Sequence, residues 1–159
     1  MPKNVFFLML ASAFGLGLSP IAPGSCGALL GVALHLGLVF TMPASYLYRG
    51  LMLVMLIICG LHFLLTPWAQ RYWQEQDPQH FVLDEVAGYL TVPLVLGTSV
   101  PLWATVIMGY LLFRGLDIIK LPPARQIDRQ MHGAWGILLD DIVSGVYAAL
   151  ILRIFFSWR

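Results

Sequence analysis

Charge is scarce in this sequence: only 11% of its residues are Asp, Glu, Lys or Arg, against about 25% in ordinary soluble domains. So few charges cannot clothe a water-facing surface of normal size. With a mean hydropathy of +0.81, a bilayer is the natural solvent. Cysteine is scarce too. Cys26 and Cys59 sit in apolar surroundings, form no CxxC, and read as small buried hydrophobes, so neither a disulfide framework nor a zinc site is supported. The net charge of +1 argues against bulk nucleic-acid binding, which relies on a large positive field. No charged residue lies between Lys3 and Arg49, which leaves room for more than one hydrophobic segment.

What is present points to an all-α, polytopic membrane bundle of about four to six short hydrophobic helices. Its 159 residues fit one integral-membrane domain over 1–159. Lys3, the apolar run Val5 to Leu10 and Ala11-Ser12-Ala13 resemble a secretory signal, but hydrophobicity continues past Ala13, so an uncleaved segment is expected. Two prolines and three glycines between Gly17 and Gly27 break the run. They predict a first helix near 4–17, short enough to be re-entrant or interfacial, and a second near 27–42. A third is expected from Leu51 to Leu65, then a wet stretch from Gln70 to His80. The apolar region 86–113 is cut at Gly97 to Pro101 into two helices, and a last helix is expected from Ile137 to Phe156. This layout brings residues 19–27, 71–85 and 114–141 to one face. The arginines and lysine on that face outnumber those on the other, which makes it cytoplasmic by the positive-inside rule.

All eight acids fall within residues 67–85 and 114–141. Asp84-Glu85 abuts Val86-Ala87-Gly88, and Asp140-Asp141 sits between Leu139 and Ile142. A carboxylate deep in a bilayer costs about 2.5–3.5 kcal/mol, and adjacent ones repel. Helix capping is the bland reading, with Asp84 placed to cap the helix that follows; capping rarely needs two acids at two sites. A hard cation such as Mg²⁺ offsets such pairs through oxygen ligands. Glu75 and Asp77 fall in the wet loop and read as surface residues. Arg114, Asp117 and Lys120, spaced i, i+3, i+6, form a stripe of alternating sign that is ended by Leu121-Pro122-Pro123. Arg125, Asp128, Arg129 and His132 follow; arginine forks suit phosphate oxygens, and His132 is a candidate for proton transfer. Ser19 to Gly27 is a sharp turn able to offer N–H groups to a phosphate.

The order of these motifs resembles the phosphatidylglycerophosphatase A family. The matching pieces are Gly17-Leu18-Ser19-Pro20-Ile21-x-Pro23-Gly24-Ser25-x-Gly27, Asp84-Glu85-Val86-x-Gly88, and a long third piece. That piece runs from Phe113-Arg114-x-Leu116-Asp117-x-x-Lys120 through Asp128-Arg129-x-x-His132-Gly133-x-x-Gly136 to Asp140-Asp141-Ile142-Val143-x-Gly145. Ser25 stands where the family commonly has Thr, and Ala134 replaces a second glycine. The resemblance implies an inner-membrane enzyme that removes the terminal phosphate of the lipid phosphatidylglycerophosphate, with Mg²⁺ required. Asp84, Glu85, Asp117, Asp140 and Asp141 are then expected to hold the metal and supply catalytic groups, with His132. Arg114, Lys120, Arg125, Arg129, Ser19 and Ser25 are expected to hold substrate. Attack by activated water and attack by an aspartate both stay open. The alternatives are a small ion or proton transporter, which would place acids mid-span, and a CDP-alcohol phosphotransferase, whose DGxxAR spacing is missing.

Overall fold

A computed structural model describes residues 2–131 and 133–158, without the side chains of Pro2, Lys3 and Asp128. It is all-helical among those residues. The elements are α1 (Pro2–Ala11), a 3₁₀ turn (Leu16–Leu18), α2 (Pro23–Thr41), α3 (Ala44–Trp73), α4 (Leu83–Leu96), α5 (Leu102–Ile119), α6 (Ala124–Gln130) and α7 (Ala134–Ser157). Three of them, α2, α3 and α5, are long and apolar enough to cross a membrane.

The expected first helix stops early, at Ala11, because Ala13 and Phe14 take positive φ angles of 50° and 60°. At about 15 Å, α1 is too short to span, which fits a re-entrant or interfacial segment. The Val82 N–H donates to the Ala11 carbonyl at 3.1 Å, and His80 Nδ1 lies 2.8 Å from the Gly17 carbonyl. These bonds fasten the N-terminal turn to the segment entering α4.

The third helix is far longer than expected, 30 residues rather than the stretch from Leu51 to Leu65. Its polar ends stay helical because they emerge from the apolar slab rather than needing to end inside it. Trp68, Tyr72 and Trp73 cluster near Arg71, with Trp68 and Tyr72 stacked at 4.8 Å. Such aromatic groups mark a membrane–water interface.

Most residues of α4 are buried, and it packs against α2, α3, α5 and α7. Its closest approach is to α7. A Cβ on Gly88 would meet Asp141 Cβ at 3.0 Å and the Phe113 ring, and one on Gly145 would strike the Gly88 carbonyl. Small residues at this crossing let the two backbones touch. The chain runs up and down, so the starts of α2, α4 and α7 and the ends of α3 and α5 share one face. That is the face anticipated from the sequence.

Candidate active site

At this shared face a pocket of about 360 Å³ opens between α2, α4, α5 and α7. Its acidic lining comes from three helices and one loop. Asp84 and Glu85 stand in the first turn of α4, where the N-cap is Val82 and makes no side-chain cap bond. Asp84 is therefore not the cap, although the positive dipole end still favours its charge. Asp140 and Asp141 lie nearly two turns inside α7, whose N-cap is Gly133. Capping does not explain them either. Asp117 comes from the last turn of α5.

Asp84, Asp117, Asp140 and Asp141 are all buried, none more than 9% exposed. Asp84, Glu85 and Asp141 bring carboxylate oxygens within 4.8 Å of one another, as do Asp117, Asp140 and Asp141. Asp141 belongs to both trios. At that spacing each ionised pair costs roughly 3–4 kcal/mol for an effective dielectric near 20.

Two cations answer these acids in part. Arg114 Nη1 sits 2.7 Å from Asp117 Oδ2 and 3.9 Å from Glu85 Oε1. Its Nε donates to Ser25 Oγ at 3.3 Å. Lys120 is the C-cap of α5, and its φ of 51° turns it out of the helical stripe. Its Nζ donates to Asp140 Oδ2 at 2.7 Å, across to α7. Among the described residues the pocket thus carries six carboxylates against two cations. Asp84 Oδ1 and Glu85 Oε2 are buried with no hydrogen-bond partner there.

The remaining wall is the start of α2. Ala22 at the N-cap has φ 50°, Pro23 follows, and no side chain caps the helix. Cys26 N–H is the first to bond back, to the Ala22 carbonyl at 3.1 Å, so the N–H groups of Gly24 and Ser25 have no intrahelical acceptor. A Cβ on Gly24 would overlap Glu85 Oε1 and crowd Arg114 Nη2 at 2.7 Å. Glycine lets α2 come this close with the Glu85 carboxylate and the Arg114 fork left in place. Tyr110 holds the same turn by donating its hydroxyl to the Ser25 carbonyl at 3.1 Å.

Of the residues singled out in the sequence, Asp84, Glu85, Arg114, Asp117, Lys120, Asp140, Asp141 and Ser25 come together here. Ser19 does not: its hydroxyl is spent on the Ile21 carbonyl at 3.0 Å, in an exposed turn. Arg125 and Arg129 are exposed on α6, outside the lining. His132 lies outside the described residues. Glu75 and Asp77 are both exposed, as expected; Glu75 lies away from the pocket, whereas Asp77 is also one of its lining residues. The loop 74–82 is short and both its ends face the site, which is the signal that could have found Asp77.

A protein-family model described as Phosphatidylglycerophosphatase A matches residues 9–156. The chain belongs to the phosphatidylglycerophosphatase A family. Phosphatidylglycerophosphatase A of Escherichia coli K12 is 39% identical over 145 residues, 91% of this chain and 80% of that one. A Bacteroides thetaiotaomicron protein that carries the provisional name phosphatidylinositol-3-phosphatase is 30% identical, over 92% of this chain and 91% of its own. Phosphatidylglycerophosphatase A of Haemophilus influenzae is also 30% identical, over 94% of this chain and 88% of its own. No solved structure matches the chain. Membership of the phosphatidylglycerophosphatase A family makes this membrane protein a phosphatase, and a polar pocket with arginine, hydroxyl and free N–H donors beside clustered acids suits that chemistry.

Proposed function

We propose that the chain, acting as one integral-membrane domain, hydrolyses the terminal phosphate of phosphatidylglycerophosphate to give phosphatidylglycerol and inorganic phosphate. In that reaction the bond from phosphorus to the glycerol oxygen breaks and a new one forms to the oxygen of water. The alcohol leaves with a proton. The observation that carries the reading is the excess of buried carboxylates, with Asp84 Oδ1 and Glu85 Oε2 unpartnered, beside phosphate-type donors.

A phosphate dianion has no reason to enter a pocket with such an acid excess unless a cation joins it. The all-oxygen donor set, in two trios sharing Asp141, fits a hard divalent cation such as Mg²⁺. Asp84, Glu85, Asp117, Asp140 and Asp141 would hold it. When bound, it supplies charge neutralisation at the phosphoryl oxygens and Lewis acidity.

The chain's own groups do the rest. Arg114 is fixed between Asp117 and Ser25, so its fork is oriented before substrate arrives. The Gly24 and Ser25 N–H groups, at the positive end of α2, can donate to a phosphate oxygen as helix N-termini do. Lys120 holds Asp140 in place and adds positive charge at the pocket wall. One of the buried aspartates serves as base or nucleophile. The excess of basic residues on the site face supports a cytoplasmic orientation in the inner membrane.

The test is a substrate panel. Purified protein in mixed micelles with Mg²⁺ is given phosphatidylglycerophosphate, phosphatidic acid or phosphatidylinositol 3-phosphate, and released phosphate is measured. Phosphatidylglycerophosphate should lead by at least about tenfold in kcat/KM. An equal or faster rate on phosphatidylinositol 3-phosphate would reassign the substrate.

A further inference from the structure

Beside the polar pocket lies a second concavity of about 400 Å³, lined almost wholly by apolar side chains. Leu116, Leu121 and Pro122 form one wall, and Tyr147, Ile151 and Ile154 of α7 form the other. We infer that this groove seats one acyl chain of the lipid whose phosphate the polar pocket takes; the inference rests on the lipid-phosphatase reading above.

The two cavities share a wall. Along the end of α5, Leu116 and Leu121 line the groove, while their chain neighbours Asp117 and Lys120 line the pocket. On α7, Asp140 and Asp141 line the pocket, and Tyr147 to Ile154 continue the same helix into the groove. From Asp140 to Ile154 an α-helix rises about 21 Å, enough to run from the headgroup level through a leaflet about 15 Å deep. A lipid bound by its headgroup phosphate points its chains in that same direction. Leu121, Ile151 and Ile154 are 43%, 43% and 59% exposed, so the groove opens outward, where a chain can slide in from the bilayer. The Tyr147 hydroxyl donates to the Pro122 carbonyl at 2.7 Å and fixes the mouth nearest the acids.

Lipid tails are as apolar as the groove, so moving a chain from bilayer to groove gains little by transfer alone. What the groove supplies is register: a chain held there sets the height and orientation of the phosphate at the acids. The signature is therefore a preference for long chains in kcat/KM, rather than tighter membrane binding.

The experiment compares dioleoyl and dihexanoyl phosphatidylglycerophosphate in the same detergent micelles with Mg²⁺. Ile151→Trp and Ile154→Trp, at two depths, fill the groove; Leu53→Trp, an exposed position on α3, is the control. Each groove variant should lower the long-to-short ratio of kcat/KM about tenfold, and the control should leave it unchanged. Since both groove residues are exposed, loss of folding in one leaves the other to report. A ratio unchanged in the groove variants, or an equal fall on both lipids, overturns the groove assignment and leaves the phosphatase reading intact. Absence of phosphate release by the wild type from either lipid would remove the underlying reading instead.

Discussion

Asp141 belongs to both carboxylate trios, so removing its charge disturbs every candidate ligand set at once. Asp141→Asn should lower kcat by at least about 10³-fold, measured as phosphate release, with yield and helicity unchanged. Glu75→Gln, exposed and outside the pocket, should stay within about twofold. Gly24→Ala tests the close approach of α2. Its new methyl meets the Glu85 carboxylate and the Arg114 fork, which are side-chain ends able to swing away. Activity should therefore fall about tenfold or more while the melting temperature barely moves. At this scale the buried acids were legible, because a carboxylate abutting apolar sequence has few reasons to exist. That the exposed Asp77 also lines the pocket was not, since its place depends on how the loop 74–82 closes. Ser19 looked equivalent to Ser25 in the sequence, but backbone conformation turns its hydroxyl back onto its own turn.

Among the elements, the α4–α7 crossing decides whether the two acid pairs meet. Gly88 and Gly145 set its distance. Gly145→Val drives a branched side chain into the Gly88 backbone, which should cost about 1–3 kcal/mol and pull Asp84 and Glu85 away from Asp140 and Asp141. Thermal unfolding in detergent should show a lowered midpoint together with lost activity. An unchanged midpoint with full activity would mean the helices need not touch there. The order and direction of the hydrophobic helices were readable from proline, glycine and apolar runs. Their lengths were less so. For α3, polar ends were read as loop although a helix continues through an interface without penalty. The short α6 was hidden in a charged stretch without periodic apolar residues.

Over the whole molecule, the site face gathers the pocket, the aromatic cluster of α3 and most of the basic residues. A variant lacking Cys26 and Cys59, carrying a new cysteine at Glu75 or at Tyr48, tests which way this face points. In intact cells a membrane-impermeant thiol reagent should label the Tyr48 position, at the start of α3, and spare the Glu75 position. The reverse pattern would turn the site outward. That the acid-rich pocket is a divalent-cation phosphatase site is tested by following phosphate release from phosphatidylglycerophosphate by purified protein, with Mg²⁺ and after chelation, in wild type and Asp141→Asn. Release that needs Mg²⁺, returns when Mg²⁺ is restored and vanishes in Asp141→Asn is the predicted result; release that persists after complete chelation, or in Asp141→Asn, would contradict it.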